Sequence, residues 1–398
     1  MRPSHILVLL VLLGPLAVGA GCASPLATSR DTLLGESGSP NTVLYGGEDL
    51  SKSIQNAAKN LVGKGYSPEK ARERFAEASN QFQQAFRVQG DQRVDLLLEA
   101  AKGFKNAADR WPDSAVEHDA LFMAAESYFF ADRYPKANEM YEQLLKKYPN
   151  SQYLDVIDAR RFSIAQYWLE LDKKEPQRFW EFNLTDKSRP VRSTFGHAVR
   201  IFDRIRIDDP TGKLADDATL AAGNAYFACA KYMDADSFYS DLRKTFPSSE
   251  HQFRAHLLGI KAKLLSYDGP DYSGDPLDEA EKLIKQVRRQ FPYEAAKERE
   301  YLARAWAEVR FKKAEREWHM AQFYDRRGEY GAARFYYQLV VNDYADTVFA
   351  EKARSRMEAI RSEPDTPPQR LEWLVKLFPQ QDDVKPMIAT SNSDTRLR

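Results

Sequence analysis

The residue best placed to do chemistry in this chain of 398 residues is Cys22. Its thiol follows Gly19-Ala20-Gly21 at the end of an apolar run, Ile6 to Val18, that Arg2 precedes. Thirteen apolar residues are too few for a bilayer-crossing helix, which needs about 20, so residues 1–21 read as a signal peptide. Small residues directly before a cysteine form the site at which a lipoprotein precursor is cut and its new N-terminal cysteine acylated. On that reading Cys22 is a lipid anchor that holds the chain to a membrane. Gly19 stands where leucine is usual, so ordinary cleavage near Ala20, leaving a free thiol, is the competing reading.

Other reactive groups form no constellation. His5 lies in the signal segment, and His118, His197, His251, His256 and His319 are scattered. His251 and His256 are five apart, whereas two ligands on one helix face need the i, i+4 spacing. Cys229, inside the apolar run AYFACA, reads as a small buried packing residue. No glycine-rich phosphate loop, nucleophile elbow or HExxH is found, so no catalytic residue, metal or cofactor is expected. Lys+Arg and Asp+Glu both number 58, which leaves no net field to recruit nucleic acid or an anionic membrane.

What remains is binding chemistry carried by aromatic side chains, which make up 12% of the chain. The clearest stretch is Ala321 to Tyr344, AQFYDRRGEYGAARFYYQLVVNDY. It reads as the end of one helix, a turn at Gly328 where positive φ is needed, and a second helix. That second helix sets Tyr330, Ala333, Tyr337, Val340 and Tyr344 at helical spacing on one face. The same setting recurs around Ala100, Ala137, Ala198, Ala235 and Ala280. Twelve residues beyond each of those five alanines stands a proline, Pro112, Pro149, Pro210, Pro247 and Pro292; beyond Ala333 stands Ala345.

Each element has a physical reason. An alanine lets paired helices cross closely, at about 8–10 Å between axes. Proline stops the second helix because it lacks an amide donor and clashes with the preceding turn. The six alanines are therefore expected as helix-crossing anchors of an all-α, tetratricopeptide-like solenoid of about six helical hairpins with inserts. Intervals between them of 37, 61, 37, 45 and 53 residues exceed the roughly 34 of one tetratricopeptide unit and require those inserts. Nine residues before three anchors stand Tyr128, Tyr226 and Tyr324. Their rings either pack on the following helix or turn an edge to the groove and bind an extended segment.

Taken in order, residues 22–47 form a flexible tether, residues 48–379 the solenoid and residues 380–398 a disordered tail. The third unit is interrupted by residues 172–190, DKKEPQRFWEFNLTDKSRP. Phe179, Trp180 and Phe182 there either fold back onto the solenoid or form a partner contact, since aromatics and arginine dominate interface hot spots. Residues 293–324 contain no Gly or Pro and are predicted as one long helix or two shorter ones. Ala353–Ile360 and Leu371–Phe378 suggest a capping pair.

The Ala321–Tyr344 stretch, the aromatic-Pro-x-Ser stops at Tyr148-Pro149-Asn150-Ser151 and Phe246-Pro247-Ser248-Ser249, and Cys22 together resemble the BamD (YfiO) family of outer-membrane assembly lipoproteins. The resemblance implies a lipid-anchored protein on the periplasmic face of the outer membrane. It also implies repeats that bind an outer-membrane barrel-assembly protein, other assembly lipoproteins and unfolded barrel polypeptides. Two departures, an extra repeat with the 172–190 insert and the final Tyr344-Ala345-Asp346, fit instead an envelope adaptor for a cell-wall or division complex.

Cys22→Ser is expected to abolish partition into the outer-membrane fraction, because stable attachment needs more than one acyl chain and the substitution removes all of them. Fractionation and electrophoretic migration check this; a mutant that behaves like the wild type contradicts the anchor.

Overall fold

The computed structural model describes residues 65–177, 180–368 and 372–375. Cys22, Phe179, the signal segment, the tether, the helical pattern expected from Glu48 and the tail from 380 lie outside the described residues. Within them the chain is all α-helix, with no strand: α1 (Pro68–Ala85), α2 (Asp91–Arg110), α3 (Ala115–Phe130), α4 (Tyr134–Lys147), α5 (Leu154–Lys174), α6 (Thr194–Asp208), α7 (Ala215–Ala228), α8 (Tyr232–Thr245), α9 (Gln252–Leu265), α10 (Asp275–Gln290), α11 (Pro292–Lys297), α12 (Arg299–Arg326), α13 (Tyr330–Asp343), α14 (Val348–Ala359) and the single turn α15 (Glu372–Val375). Six hairpins follow one another, α1/α2, α3/α4, α5/α6, α7/α8, α9/α10 and α12/α13, and α14 closes the last. The arrangement is a solenoid-like stack. Its apolar core is accordingly divided into successive clusters rather than gathered in one place.

The segment from 293 divides unequally. A break at Glu298 separates the short α11 from the 28-residue α12, which is about 42 Å long.

Local chemistry explains the boundaries. Ser67 accepts from the Lys70 amide, with Pro68 at the first helical position of α1. Ser114 accepts from the Glu117 amide at 3.1 Å, and Glu117 Oε2 reaches back to the Asp113 amide at 2.6 Å. Glu117 also accepts from the Tyr148 hydroxyl at 2.7 Å and from Lys147. The aromatic residue before Pro149 thereby ties the end of α4 to the start of α3. In the same stop, Ser151 accepts from the Tyr153 amide at 3.1 Å and contacts His118 Nε2 at 2.8 Å. Ser249 accepts from the His251 amide at 3.1 Å.

The turns inside the second, fourth and sixth hairpins share one geometry. Arg133, Lys231 and Glu329 donate their amides to the carbonyls of Tyr128, Tyr226 and Tyr324 at 2.9, 3.0 and 3.0 Å. Asp132, Ala230 and Gly328, one residue earlier, hold φ of 55°, 57° and 74° and donate to Phe129, Phe227 and Asp325. This is the paired Schellman arrangement, which favours glycine at the positive-φ position. These residues recur at a constant interval of 98. Only the sixth turn carries the glycine.

Cys229 does not pack in the core. It is exposed at the C-terminal end of α7, because the turn that follows places it on the rim of the hairpin.

Ala230 sits in a conformation that costs an L-residue about 1 kcal/mol over glycine. Ala230→Gly is therefore expected to raise stability by up to about 1 kcal/mol, and Gly328→Ala to lower it by a similar amount. Urea midpoints of the two variants check the turn assignment; shifts of the same sign contradict it.

Candidate protein-binding surface

The six predicted anchors, Ala100, Ala137, Ala198, Ala235, Ala280 and Ala333, all lie at 0% exposure. Four residues beyond three of them, Tyr141, Tyr239 and Tyr337 are likewise buried, and each phenol donates across its hairpin to the first helix. Tyr141 donates to Glu126, Tyr239 to Asn224 Oδ1 at 3.0 Å, and Tyr337 to Asp325 Oδ2 at 3.0 Å. An arginine from the next helix then forks onto two of these acceptors. Arg160 of α5 bonds Glu126 at 3.1 and 3.0 Å, and Arg356 of α14 bonds Asp325 at 2.6 and 2.8 Å. Bidentate guanidinium–carboxylate geometry fixes orientation as well as distance, so each clasp sets how one unit sits on the next. The bond to Arg356, with Tyr337 adding to it, holds the Asp325 carboxyl below the usual carboxylate range despite partial burial. Burial and the facing Asp325 push the Tyr337 phenol well up.

The sixth-unit clasp lies beside a cavity of about 370 Å³ lined by Trp318, Gln322, Asp325, Arg326, Tyr337 and Arg356. The Trp318 indole packs on Tyr337, with ring centroids 5.1 Å apart, and gives the cavity an apolar wall. Asp325 and Arg356 satisfy each other. The Gln322 amide and the Arg326 guanidinium line it and make no side-chain hydrogen bond among the described residues. An apolar wall beside unspent donors suits the main-chain carbonyls or a carboxylate of an extended polypeptide.

The three predicted groove tyrosines are not brought together, and none lines this cavity. Tyr226 stacks on Phe238 at 5.5 Å and meets Phe195 edge-on at 5.6 Å. Tyr324 stacks on Tyr336 at 5.4 Å, and Tyr128 is buried at the end of α3 with Lys136 over its ring. Their rings pack on the following helix or the core, and none of the three hydroxyls makes a hydrogen bond among the described residues. Trp180 and Phe182 of the insert stay exposed, at 55% and 54%, instead of folding onto the solenoid.

A second polar junction joins the second and third units, where α4 and α5 approach less closely than α2 and α3, α6 and α7 or α8 and α9 do. Arg161 is fully buried there. Its Nη1 donates to Asp208 Oδ2 at 2.9 Å, its Nε to Asn138 Oδ1 at 3.4 Å, and its Nη2 lies 3.8 Å from Glu142. Asp158, 4% exposed, leaves its Oδ1 without a hydrogen bond, 3.9 Å from Arg161. Burial pushes the Asp158 carboxyl up to about 7; Arg161 pulls the other way, and Asp209, Asp208 and Asp155 add to the rise.

Residues 119–151, from within α3 to the stop after α4, match the tetratricopeptide repeat profile. They form a tetratricopeptide repeat region. No curated protein matches the chain. Stacked with the neighbouring hairpins, the repeat makes this region a tetratricopeptide-type module for binding other proteins. Among the described residues no group of three or more His, Cys, Asp or Glu could hold a metal ion, and no helix is long and apolar enough to cross a membrane. The cavity donors of the sixth unit, and the Asp325–Arg356 clasp beneath them, were not singled out in the sequence. The signal that could have found them is the Tyr324-Asp325-Arg326 triplet set 12 residues before Tyr337 at the Asp325 position.

The raised Asp158 carboxyl makes a signed prediction. Its folded value exceeds the unfolded one, so the native state holds the proton more tightly. The stability it contributes is present below about pH 4 and is lost as pH rises through about 7, at up to about 1.4 kcal/mol per pH unit. Asp158→Asn removes this slope. Urea unfolding at about pH 5 and about pH 7 should show the wild type losing more stability than the variant; parallel profiles contradict it.

Proposed function

We propose that the chain is a lipid-anchored periplasmic scaffold of the outer-membrane β-barrel assembly machinery. Acylated Cys22 and the tether of residues 22–47 hold it to the membrane, and the solenoid of residues 48–379 does the binding, with residues 380–398 as a free tail. Through its repeats it engages an outer-membrane barrel-assembly protein, other assembly lipoproteins and unfolded barrel polypeptides. The observation that carries this reading is the cleft that Gln322, Asp325, Arg326 and Tyr337 of the Ala321–Tyr344 stretch, where the family resemblance is strongest, form with Trp318 before it and Arg356 after it. There Trp318 supplies an apolar wall, and Gln322 and Arg326 supply unspent donors. An unfolded barrel strand offers what such a cleft takes, aromatic side chains alternating with exposed backbone carbonyls.

A second reading, an envelope adaptor for a cell-wall or division complex, draws on the insert. Its exposed Trp180 and Phe182 and the final Tyr344-Ala345-Asp346 depart from the family pattern.

Titration with barrel-derived peptides tests the first reading. Gln322→Ala with Arg326→Ala is expected to weaken binding by about 1–3 kcal/mol, the worth of two hydrogen bonds. Phenylalanine at Tyr128, Tyr226 and Tyr324 together is expected to leave affinity and melting near wild type, since it keeps the packed rings and removes only unbonded hydroxyls. A wild type that binds no such peptide removes the barrel-substrate reading and leaves the adaptor.

A further inference from the structure

The insert between α5 and α6 gives the stack a projection that repeat packing does not require, and its base is firmly fastened. Trp168, 1% exposed, donates its indole N–H to the Ser188 carbonyl at 2.9 Å. Gln177 Oε1 accepts from the Thr194 amide and hydroxyl, both at 3.2 Å. Asn183 closes the loop on itself. Its Oδ1 accepts from the Asp186 amide at 2.9 Å, its side-chain nitrogen donates to the Arg189 carbonyl at 3.0 Å, and its backbone amide donates to Val191 at 2.8 Å. An asparagine used this way fixes a turn by mimicking backbone.

The same network decides which side chains are left to face outward. Asp186 is occupied by Ser188 and by Arg189 at 3.4 Å, and Glu175 faces Arg189 at 3.7 Å. Lys173, Lys174 and Lys187 are exposed and make no ion pair among the described residues. Arg192, also exposed, lies over the Phe182 ring at 4.4 Å. In the same insert and at its end Leu184 is 82% exposed, Trp180 55%, Phe182 54% and Val191 53%. The result is an exposed apolar knuckle in a segment, residues 172–192, that carries six Lys or Arg against four Asp or Glu, with Glu181 exposed beside Phe182.

We propose that this knuckle docks on an anionic lipid surface. Its large apolar side chains lie in solvent, so they call for a medium they can enter. Tryptophan and phenylalanine settle at the headgroup level of a bilayer, leucine reaches the acyl boundary, and lysine stems lie along apolar surface while their charges meet anionic headgroups. The segment's unpaired cations give the complementary charge, each adding to attraction within a Debye length of the surface. The chain carries no net charge, so it is the distribution at this loop that selects the surface. The inference uses nothing of Cys22 and stands whether or not that residue is acylated.

The test is co-sedimentation of the full mature chain carrying Cys22→Ser, with vesicles of equimolar phosphatidylcholine and phosphatidylglycerol or of phosphatidylcholine alone. The chain is expected to pellet with the anionic vesicles and to be released from them by high salt. Leu184→Asp is expected to weaken that binding by about tenfold, with unchanged circular dichroism and melting, because its side chain is in solvent. Lys187→Glu should weaken binding to the anionic vesicles more than to the neutral ones. Equal pelleting of parent and Leu184→Asp overturns the proposal. So does a parent chain that stays in the supernatant, and in that case loss of a protein complex by Leu184→Asp would assign the knuckle to a protein surface.

Discussion

A pair of α-helices joined by a short turn has apolar side chains on more faces than its two members can cover for each other. That constraint governs the molecule. Each hairpin must be completed by the next, so the core breaks into clusters along the chain and stability depends on neighbours. The closing stop of the second unit is then more than a helix breaker. Tyr148 bonds back to Glu117 at the start of its own hairpin, while Ser151 turns the chain into the next. The residues that end one unit thus help to aim its successor.

Between α4 and α5, which approach less closely than the helices of neighbouring junctions, buried polar groups supply much of the contact. Burying Arg161 and Asp158 costs solvation that their 3.9 Å separation does not fully return, which is why the carboxyl rises toward neutrality instead of forming a tight pair. The neighbouring Glu126–Arg160 fork costs less, because the guanidinium keeps partial access to solvent and lies over the Phe129 and Phe130 rings. Interfaces of this kind specify geometry more than they add stability. They tie the repeat of residues 119–151 to the third unit.

The all-α solenoid was legible in the sequence because its signals are local: alanine among large residues at helical spacing, proline twelve later, glycine at a turn. Gly328 announces its positive φ by residue type. Asp132 and Ala230 adopt the same φ without announcing it, because the turn is imposed by hydrogen bonds to Tyr128 and Tyr226. The 98-residue interval would have disclosed them, had equivalent turns been aligned instead of anchors counted. Cys229 misled because apolar neighbours in sequence describe a helix, whereas its exposure is set by the turn that ends that helix. The Asp325–Arg356 clasp spans 31 residues and two helices, and no local pattern marks such a pair among abundant surface charges. The cavity beside it was invisible for the same reason.

The inserts show how composition decides what extra length becomes. The interval from Ala137 to Ala235 and that from Ala235 to Ala333 are equal, yet their surplus lies in different places and takes different forms. Residues 293–324 hold no Gly or Pro, so the surplus there extends helix, and α12 stays within the stack, donating Tyr301 to the Leu257 carbonyl at 3.2 Å. Residues 172–190 carry Pro176 and Pro190 with Asn183 between them, so helix cannot continue and the chain must satisfy its polar groups by turning on itself. The loop closes on itself through Asn183, is tied to α5 and α6 through Ser188 and Gln177, and leaves Phe182, Leu184 and Val191 exposed. Extra length that lengthens a helix in one unit therefore builds an exposed loop in another.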